Sequence, residues 1–321
     1  MATLVTGAAG FIGSHLVDDL LSAPGTRVIG VDCFRDYYPP AVKRANLAAA
    51  SANPRFSLIE ADLSDPSSMD LLSAAVPAGE ELTVFHLAAQ AGVRKSWGSD
   101  FASYTRDNIT ATQNLLEWAA GREGIRGFLF ASSSSVYGVP SVLPMTEDLT
   151  VPVPHSPYGV TKLAAENLVR LYTVHRGLPS VSLRFFTVYG PRQRPDMAFH
   201  RFLRAVLAGE PVRIYGDGSQ TRDYTYVDDT VKGLRLAEGC TDGRVMNLGG
   251  GSSVTLLDAV RTIGEVAGVP VRLEFLPAQA GDVADTMAST RRLESATGWK
   301  PVTPLREGIR RELAWLRPAL T

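Results

Sequence analysis

From residue 1 to about 180, short apolar runs alternate with stretches whose apolar residues recur at helical spacing. The runs at 3–6, 28–31, 56–60, 83–87, 127–132 and 180–186 predict strands. Between them, 14–22, 108–120 and 158–175 predict helices, and the first of these begins its apolar repeat already at Phe11. Strands this apolar, each followed by a helix, imply a parallel sheet covered on both faces: an α/β, doubly wound architecture. Past 187 the texture changes. Turns at Gly190-Pro191-Arg192, Arg194-Pro195-Asp196, Gly209-Glu210-Pro211 and Gly216-Asp217-Gly218 interrupt shorter elements, and Pro277, Pro301, Pro304 and Pro318 follow. That pattern predicts a smaller C-terminal α/β lobe over 187–321 beside a main domain over 1–186, with 224–231 and 245–248 returning to the first sheet. A ligand then belongs at the carboxyl ends of the strands, between the lobes.

The first strand-to-helix junction carries chemistry. Thr6-Gly7-Ala8-Ala9-Gly10-Phe11-Ile12-Gly13 places three glycines between an apolar run and a helix. Glycines permit a tight turn and close backbone approach to a pyrophosphate, whose charge is met by open amides at the helix N-terminus. The spacing is Gly-x-x-Gly-x-x-Gly, which departs from the usual Gly-x-Gly-x-x-Gly fingerprint but fits a Rossmann-type dinucleotide turn in this context. The second strand ends at Asp32, a carboxylate that accepts hydrogen bonds from ribose hydroxyls and repels a 2′-phosphate, so NAD is favoured over NADP.

A second constellation supplies a proton shuttle. Tyr158 and Lys162 are one helical turn apart, and a strand-like run upstream ends in Ser132, Ser133, Ser134 and Ser135. A phenol titrates near ~10 and is a poor base at neutral pH unless a cation favours its ionised form. With a serine hydroxyl to hold an alcohol and a dinucleotide to take hydride, the set points to redox chemistry at a carbinol.

Composition limits the alternatives. The 321 residues carry 32 basic and 33 acidic side chains, a net charge of −1, so nothing in the overall field favours nucleic acid or an anionic membrane. An anionic ligand must therefore be met by local arginines. Cys33 and Cys240 are the only cysteines, and no apolar run reaches the length of a membrane span, which suggests a reduced, cytoplasmic setting without a structural metal.

The chain resembles the extended short-chain dehydrogenase/reductases, in the branch of nucleotide-sugar epimerases. The matching pieces are the glycine turn, Asp32, Asp62-Leu63, His86-Leu87-Ala88-Ala89, Ser132 through Gly138, Tyr158 through Lys162 and Arg184 through Pro191. The resemblance implies that Gly7, Gly10, Phe11, Ile12 and Gly13 hold the pyrophosphate of NAD and that Asp62 and Leu63 border its adenine. It further implies that Leu87, Ala88 and Ala89 line the dinucleotide path, and that Ser133, Tyr158 and Lys162 form the catalytic group, with Tyr158 and Lys162 also facing the nicotinamide ribose. His86 is read as a packed strand histidine.

Related 4,6-dehydratases place Asp and Glu before the Val-Tyr-Gly that is here Val136-Tyr137-Gly138, and decarboxylating relatives place Glu immediately before it; this chain has Ser134 and Ser135. Epimerisation remains. The segment from Phe186 to Ala198 resembles that of UDP-glucuronate 4-epimerases, which implies conversion of UDP-glucuronic acid to UDP-galacturonic acid. Arg194, ahead of Arg192, would grip the sugar carboxylate, with Thr187, Ser134 and Ser135 adding hydroxyls. Tyr215 would lie beside the base, Arg222 would meet the diphosphate and Asp282 the nucleotide ribose or phosphate. UDP-glucose/UDP-galactose 4-epimerase, UDP-glucuronate decarboxylase and a catalytically silent NAD-binding regulator are the rival readings. By analogy with relatives, the helices at 108–120 and 158–175 would form a four-helix homodimer seam.

Overall fold

The computed structural model describes residues 1–277 and 283–319. Its strands are β1 (Ala2–Thr6), β2 (Arg27–Asp32), β3 (Phe56–Glu60), β4 (Leu82–His86), β5 (Ile125–Ser133), β6 (Ser180–Phe185), β7 (Thr187–Tyr189), β8 (Val212–Tyr215), β9 (Thr221–Tyr226), β10 (Asp242–Leu248), β11 (Ser252–Thr255) and β12 (Leu273–Leu276). Seven of them form the central sheet in the order β10-β6-β5-β4-β1-β2-β3. Every pairing within it is parallel. The doubly wound α/β architecture expected from the pattern is therefore present.

Successive residues of the strands face opposite sides of the pleat, and the core divides accordingly. Val5, Phe85, Leu129 and Leu183 pack on one face with Leu16, Leu20, Val231, Leu234 and Trp299. Their neighbours Leu4, Val84, Phe128 and Phe130 pack on the other with Leu115, Leu116, Ala165 and Val169. Burying both faces is why the strands read as continuous apolar runs.

Strand order reverses about β1, which lies between β2 and β4, and there a crevice opens at the carboxyl ends. The glycine turn shapes it. Gly7 adopts φ 68°, and a Cβ on Gly13 would stand 2.1 Å from the Gly7 carbonyl oxygen. Only bare backbone allows the helix Phe11–Ser22 to start this close to the end of β1.

The serine strand and the Tyr158 helix are set by local signals. Ser156 caps the helix Pro157–Arg176, its Oγ accepting from the Gly159 N–H at 3.1 Å, and Gly177 ends it at φ 68°. The helix expected over 108–120 is longer: it begins at Phe101–Tyr104, widens through a π-type stretch at Thr105–Thr110 and continues as Ala111–Ala120. The wide turn delivers Asn108 inward. Its Oδ1 accepts from the Gln90 N–H at 2.7 Å, and its Nδ2 donates to the Gln90 carbonyl and the Thr161 hydroxyl at 3.0 and 2.9 Å.

Beyond Phe186 the chain builds a second layer from a three-stranded sheet, β11-β9-β7, and a two-stranded one, β12-β8. Its core gathers Tyr189, Phe199, Leu203, Ile214, Tyr224, Tyr226, Val260, Ile263 and Ile309. Residues 245–248 return to the main sheet in β10, as the pattern suggested. Tyr224, Thr225 and Tyr226 do not: β9 pairs with β7 and β11, because its neighbours there are the aromatic residues of the smaller core. The helix that follows, Val227–Leu236, does lay Val231 and Leu234 against the main core. No helix among the described residues is long and apolar enough to cross a membrane.

Candidate active site

One cleft runs along the carboxyl ends of the parallel strands. It is lined by Gly7, Gly10, Phe11, Ile12 and Gly13 from the first turn, by Asp32, Asp62, Leu63, Leu87, Ala88 and Ala89, by Ser133, Ser134 and Ser135, by Tyr158 and Lys162, and by Thr187 and Arg194. Arg192 stands apart from this group. It pairs with Asp18 of the first helix at 2.7 Å, and its backbone has φ 62°. Tyr215 and Arg222 also lie outside the cleft lining. The guanidinium of Arg94 stacks 4.5 Å from the Tyr215 ring centroid, and Arg222 donates to the Thr221 and Ala284 carbonyls at 2.8 and 2.9 Å. Asp282 lies outside the described residues.

At the end of β2, Asp32 accepts the backbone N–H groups of Ala9 and Phe34 at 3.1 and 2.8 Å. Those bonds fix the carboxylate at the cleft wall and leave lone pairs for a sugar diol. Arg35, which the sequence reading overlooked, pairs with Asp62 at 2.7 Å and with Asp107 at 3.0 Å. Its charge is thereby cancelled by two carboxylates. Lys43, also overlooked, is buried and donates to the Arg35 carbonyl at 2.8 Å. Neither residue belongs to a spacing motif; both depend on contacts between distant loops.

The reacting end gathers three elements. Burial raises the Tyr158 phenol above its ordinary pKa, while the Ser133 hydroxyl and the charge of Arg194 oppose that rise. The Tyr104 ring meets Tyr158 edge-on, with centroids 6.2 Å apart, and restricts its rotation. The Lys162 amine is buried against the Phe130 ring, 4.4 Å from its centroid. Loss of hydration lowers its pKa to about 7, with the Glu166 carboxylate acting in the opposite sense. Glu166 is held in turn by Arg184 at 2.6 Å and by the Ser132 hydroxyl at 2.6 Å. This buried chain ties the Tyr158 helix to the serine strand, and sequence spacing gave no sign of it.

His86 has no exposed surface. Its Nδ1 meets the Thr6 hydroxyl at 2.8 Å and its Nε2 meets Thr112 at 2.9 Å. Burial, with Lys162 nearby, pushes its pKa down to about 3, so the ring is neutral and structural.

Arg194 reaches the same cleft from the smaller lobe. Its Nε and Nη2 donate to the two carboxylate oxygens of Asp196 at 3.0 and 3.1 Å, and its guanidinium lies 5.6 Å from the Tyr37 ring centroid. The Asp196 pairing outweighs burial and raises the Arg194 pKa, so the guanidinium is a permanent cation facing Tyr158. A phenol, a hydroxyl and a fixed cation on one wall can deprotonate an alcohol whose molecule also carries an anionic group.

The chain matches known proteins along nearly its whole length. The NAD dependent epimerase/dehydratase family matches residues 3–249. A UDP-glucuronic acid 4-epimerase from Bacillus cereus, solved with UDP-glucuronic acid and NAD, is 39% identical, with TM-score 0.94 over 99% of this chain and 100% of that one. MoeE5, solved with UDP-glucuronic acid and NAD, is 42% identical, with TM-score 0.85 over 99% of this chain and 100% of that one. An uncharacterised UDP-glucose epimerase of Bacillus subtilis is 42% identical over 98% of each chain.

The Lys162 environment sets a pH dependence. With its folded pKa depressed, the unfolded chain binds the proton more tightly between about pH 7 and 10.5, so this group's contribution to stability rises across that window. In protein stripped of nucleotide, Lys162→Met should stabilise by on the order of a few kcal/mol at about pH 6 and by little above about pH 10. The thermal midpoint difference between variant and parent measures this. A difference that stayed constant with pH would mean the amine is hydrated.

Proposed function

The chain belongs to the NAD dependent epimerase/dehydratase family, and from that premise we propose that it is an NAD-dependent isomerase, a UDP-glucuronate 4-epimerase. It inverts C4 of UDP-glucuronic acid to give UDP-galacturonic acid through a 4-keto sugar, without losing the carboxylate. The observation that carries the substrate half is Arg194, a cation placed by the smaller lobe against the wall that holds Ser133, Tyr158 and Lys162.

The cleft fits NAD. The Gly7–Gly13 approach excludes any side chain, and Gly10 caps the first helix without a side-chain hydrogen bond, so its amides are open to a pyrophosphate. Gly7, Gly10, Phe11, Ile12 and Gly13 would hold that group, Asp32 the adenosine ribose, and Asp62 and Leu63 the adenine. Leu87, Ala88 and Ala89 would line the path to the nicotinamide ribose at Tyr158 and Lys162. NAD, when bound, supplies the acceptor and then the donor of the C4 hydride.

The chain's own residues do the rest. Tyr158 takes the C4 hydroxyl proton in its phenolate form, which the Ser133 hydroxyl and the charge of Arg194 favour against burial, and Ser133 holds the same substrate oxygen. The proton returns from Tyr158 when the ketone is reduced on its other face, so the net redox change is zero. The 4-keto acid has its carboxylate β to the ketone and loses carbon dioxide when the C5–carboxylate bond aligns with the carbonyl π system. Arg194, Thr187, Ser134 and Ser135 would fix the carboxylate out of that alignment, a constraint of positioning. Arg222 on β9, Tyr215 on β8, and Asp282 would serve the nucleotide.

Neutral-sugar 4-epimerisation is the second reading. It is favoured by the Asp196 ion pair, which already cancels the Arg194 charge. Decarboxylation has less support, since Ser134 and Ser135 offer no carboxyl group beside the sugar.

Self-association follows from the outer helices. Val160, Leu171 and Val174 project from Pro157–Arg176 with 49, 51 and 66% exposure, beside exposed Trp97 and Phe101. We infer a homodimer in which this helix and Ala111–Ala120 pair with their copies.

Tyr158→Phe should lower turnover at least about a hundredfold with NAD still bound, and normal activity would refute the assignment. Arg194→Ala should raise the KM for UDP-glucuronic acid by about tenfold, or release carbon dioxide with a UDP-pentose; kinetics identical to the parent would remove Arg194 from the site. Sedimentation velocity should give twice the chain mass, and a monomer across micromolar concentrations would exclude the seam.

A further inference from the structure

The guanidinium of Arg194 has two usable edges. Asp196 occupies the side formed by Nε and Nη2, through a two-point contact at 3.0 and 3.1 Å. The edge formed by Nη1 and the second hydrogen of Nη2 has the fork geometry that suits a ligand carboxylate. Arg194 lines the cleft with Tyr158 and Thr187, whereas Asp196 is not among the lining residues. Asp196 is held in turn by a closed turn, in which the Met197 N–H donates to the Arg194 carbonyl at 3.0 Å, and by the Tyr37 hydroxyl at 3.4 Å.

We propose that Asp196 is a positioning residue that sets the preference between acidic and neutral sugars by cancelling the charge of Arg194. This rests on the epimerase reading given above. Charge counting gives its direction. With Asp196 present, Arg194 plus a neutral hexose is neutral, while Arg194 plus a uronate carries a net charge of minus one. Without the aspartate charge, the uronate complex becomes neutral and the neutral-hexose complex leaves a largely buried cation uncompensated. Both changes act in the same sense. Asp196 therefore weakens discrimination against neutral sugars, and the subsite of this chain is a tolerant one.

The test uses NAD-loaded enzyme and measures calorimetric Kd values, together with KM and kcat, for UDP-glucuronic acid and UDP-glucose. Asp196→Asn keeps the shape and removes the charge. It should shift the ratio of the two Kd values toward the uronate by about tenfold, through KM with little change in kcat. Asp196→Ser, a second uncharged variant, should shift it in the same direction if the asparagine form does not fold, and Asp196→Glu should hold the parental ratio. An unchanged or reversed ratio in the uncharged variants, or an equal shift in Asp196→Glu, overturns the proposal. If the parent epimerises UDP-glucuronic acid while the ratio fails to move, this inference falls alone. A parent that binds neither sugar removes the epimerase reading together with it.

Discussion

The molecule depends on a contact that tolerates no side chain. The Gly7 carbonyl meets the start of the first helix where a Cβ on Gly13 would be 2.1 Å away, and a Cβ on Gly7 would be 2.9 Å from the Ala88 nitrogen. This bare junction brings β1, the first helix and the segment after β4 to one point at the centre of the sheet. Because all seven strands are parallel, their chemistry-bearing ends then fall on one edge: Gly7 after β1, Asp32 at the end of β2, Leu87 after β4 and Ser133 at the end of β5. The sheet's direction makes the site, and the glycines leave it open.

The second constraint is electrostatic. Three arginines near the cleft are matched by carboxylates reached through the fold: Arg35 by Asp62 and Asp107, Arg184 by Glu166, Arg194 by Asp196. Lys162 lacks such direct pairing and is the group whose proton is loosened, with its pKa near 7. A site of this kind places one adjustable charge among fixed ones, as acid–base chemistry at neutral pH requires.

Much of this was legible in the chain, for identifiable reasons. Buried parallel strands leave unbroken apolar runs, the glycine turn is a local backbone requirement, and Tyr158 and Lys162 are fixed by one helical turn. Arg35, Lys43 and Asp196 left no such trace, because what they do is decided by partners on other loops. The widened turn around Asn108 was hidden for a similar reason: its side chain bonds to Gln90 and Thr161, partners that periodicity does not show. Tyr224 and Tyr226 were read toward the wrong sheet, since an aromatic strand fits either core and only the neighbours decide. The difference between Arg192 and Arg194 likewise lies in their partners, Asp18 for the first and Asp196 for the second.

The run from β6 to β7 joins the two layers with a single residue between them. Phe186 donates its N–H to the Leu248 carbonyl at 3.0 Å, and the next residue, Thr187, already belongs to the smaller sheet and the cleft. The chain later re-enters the main sheet at β10 and leaves it again for β11. Grafting a foreign sugar lobe onto this scaffold thus cannot be done with one splice. A chimera would have to exchange at least two interrupted segments and preserve the seam at Phe186.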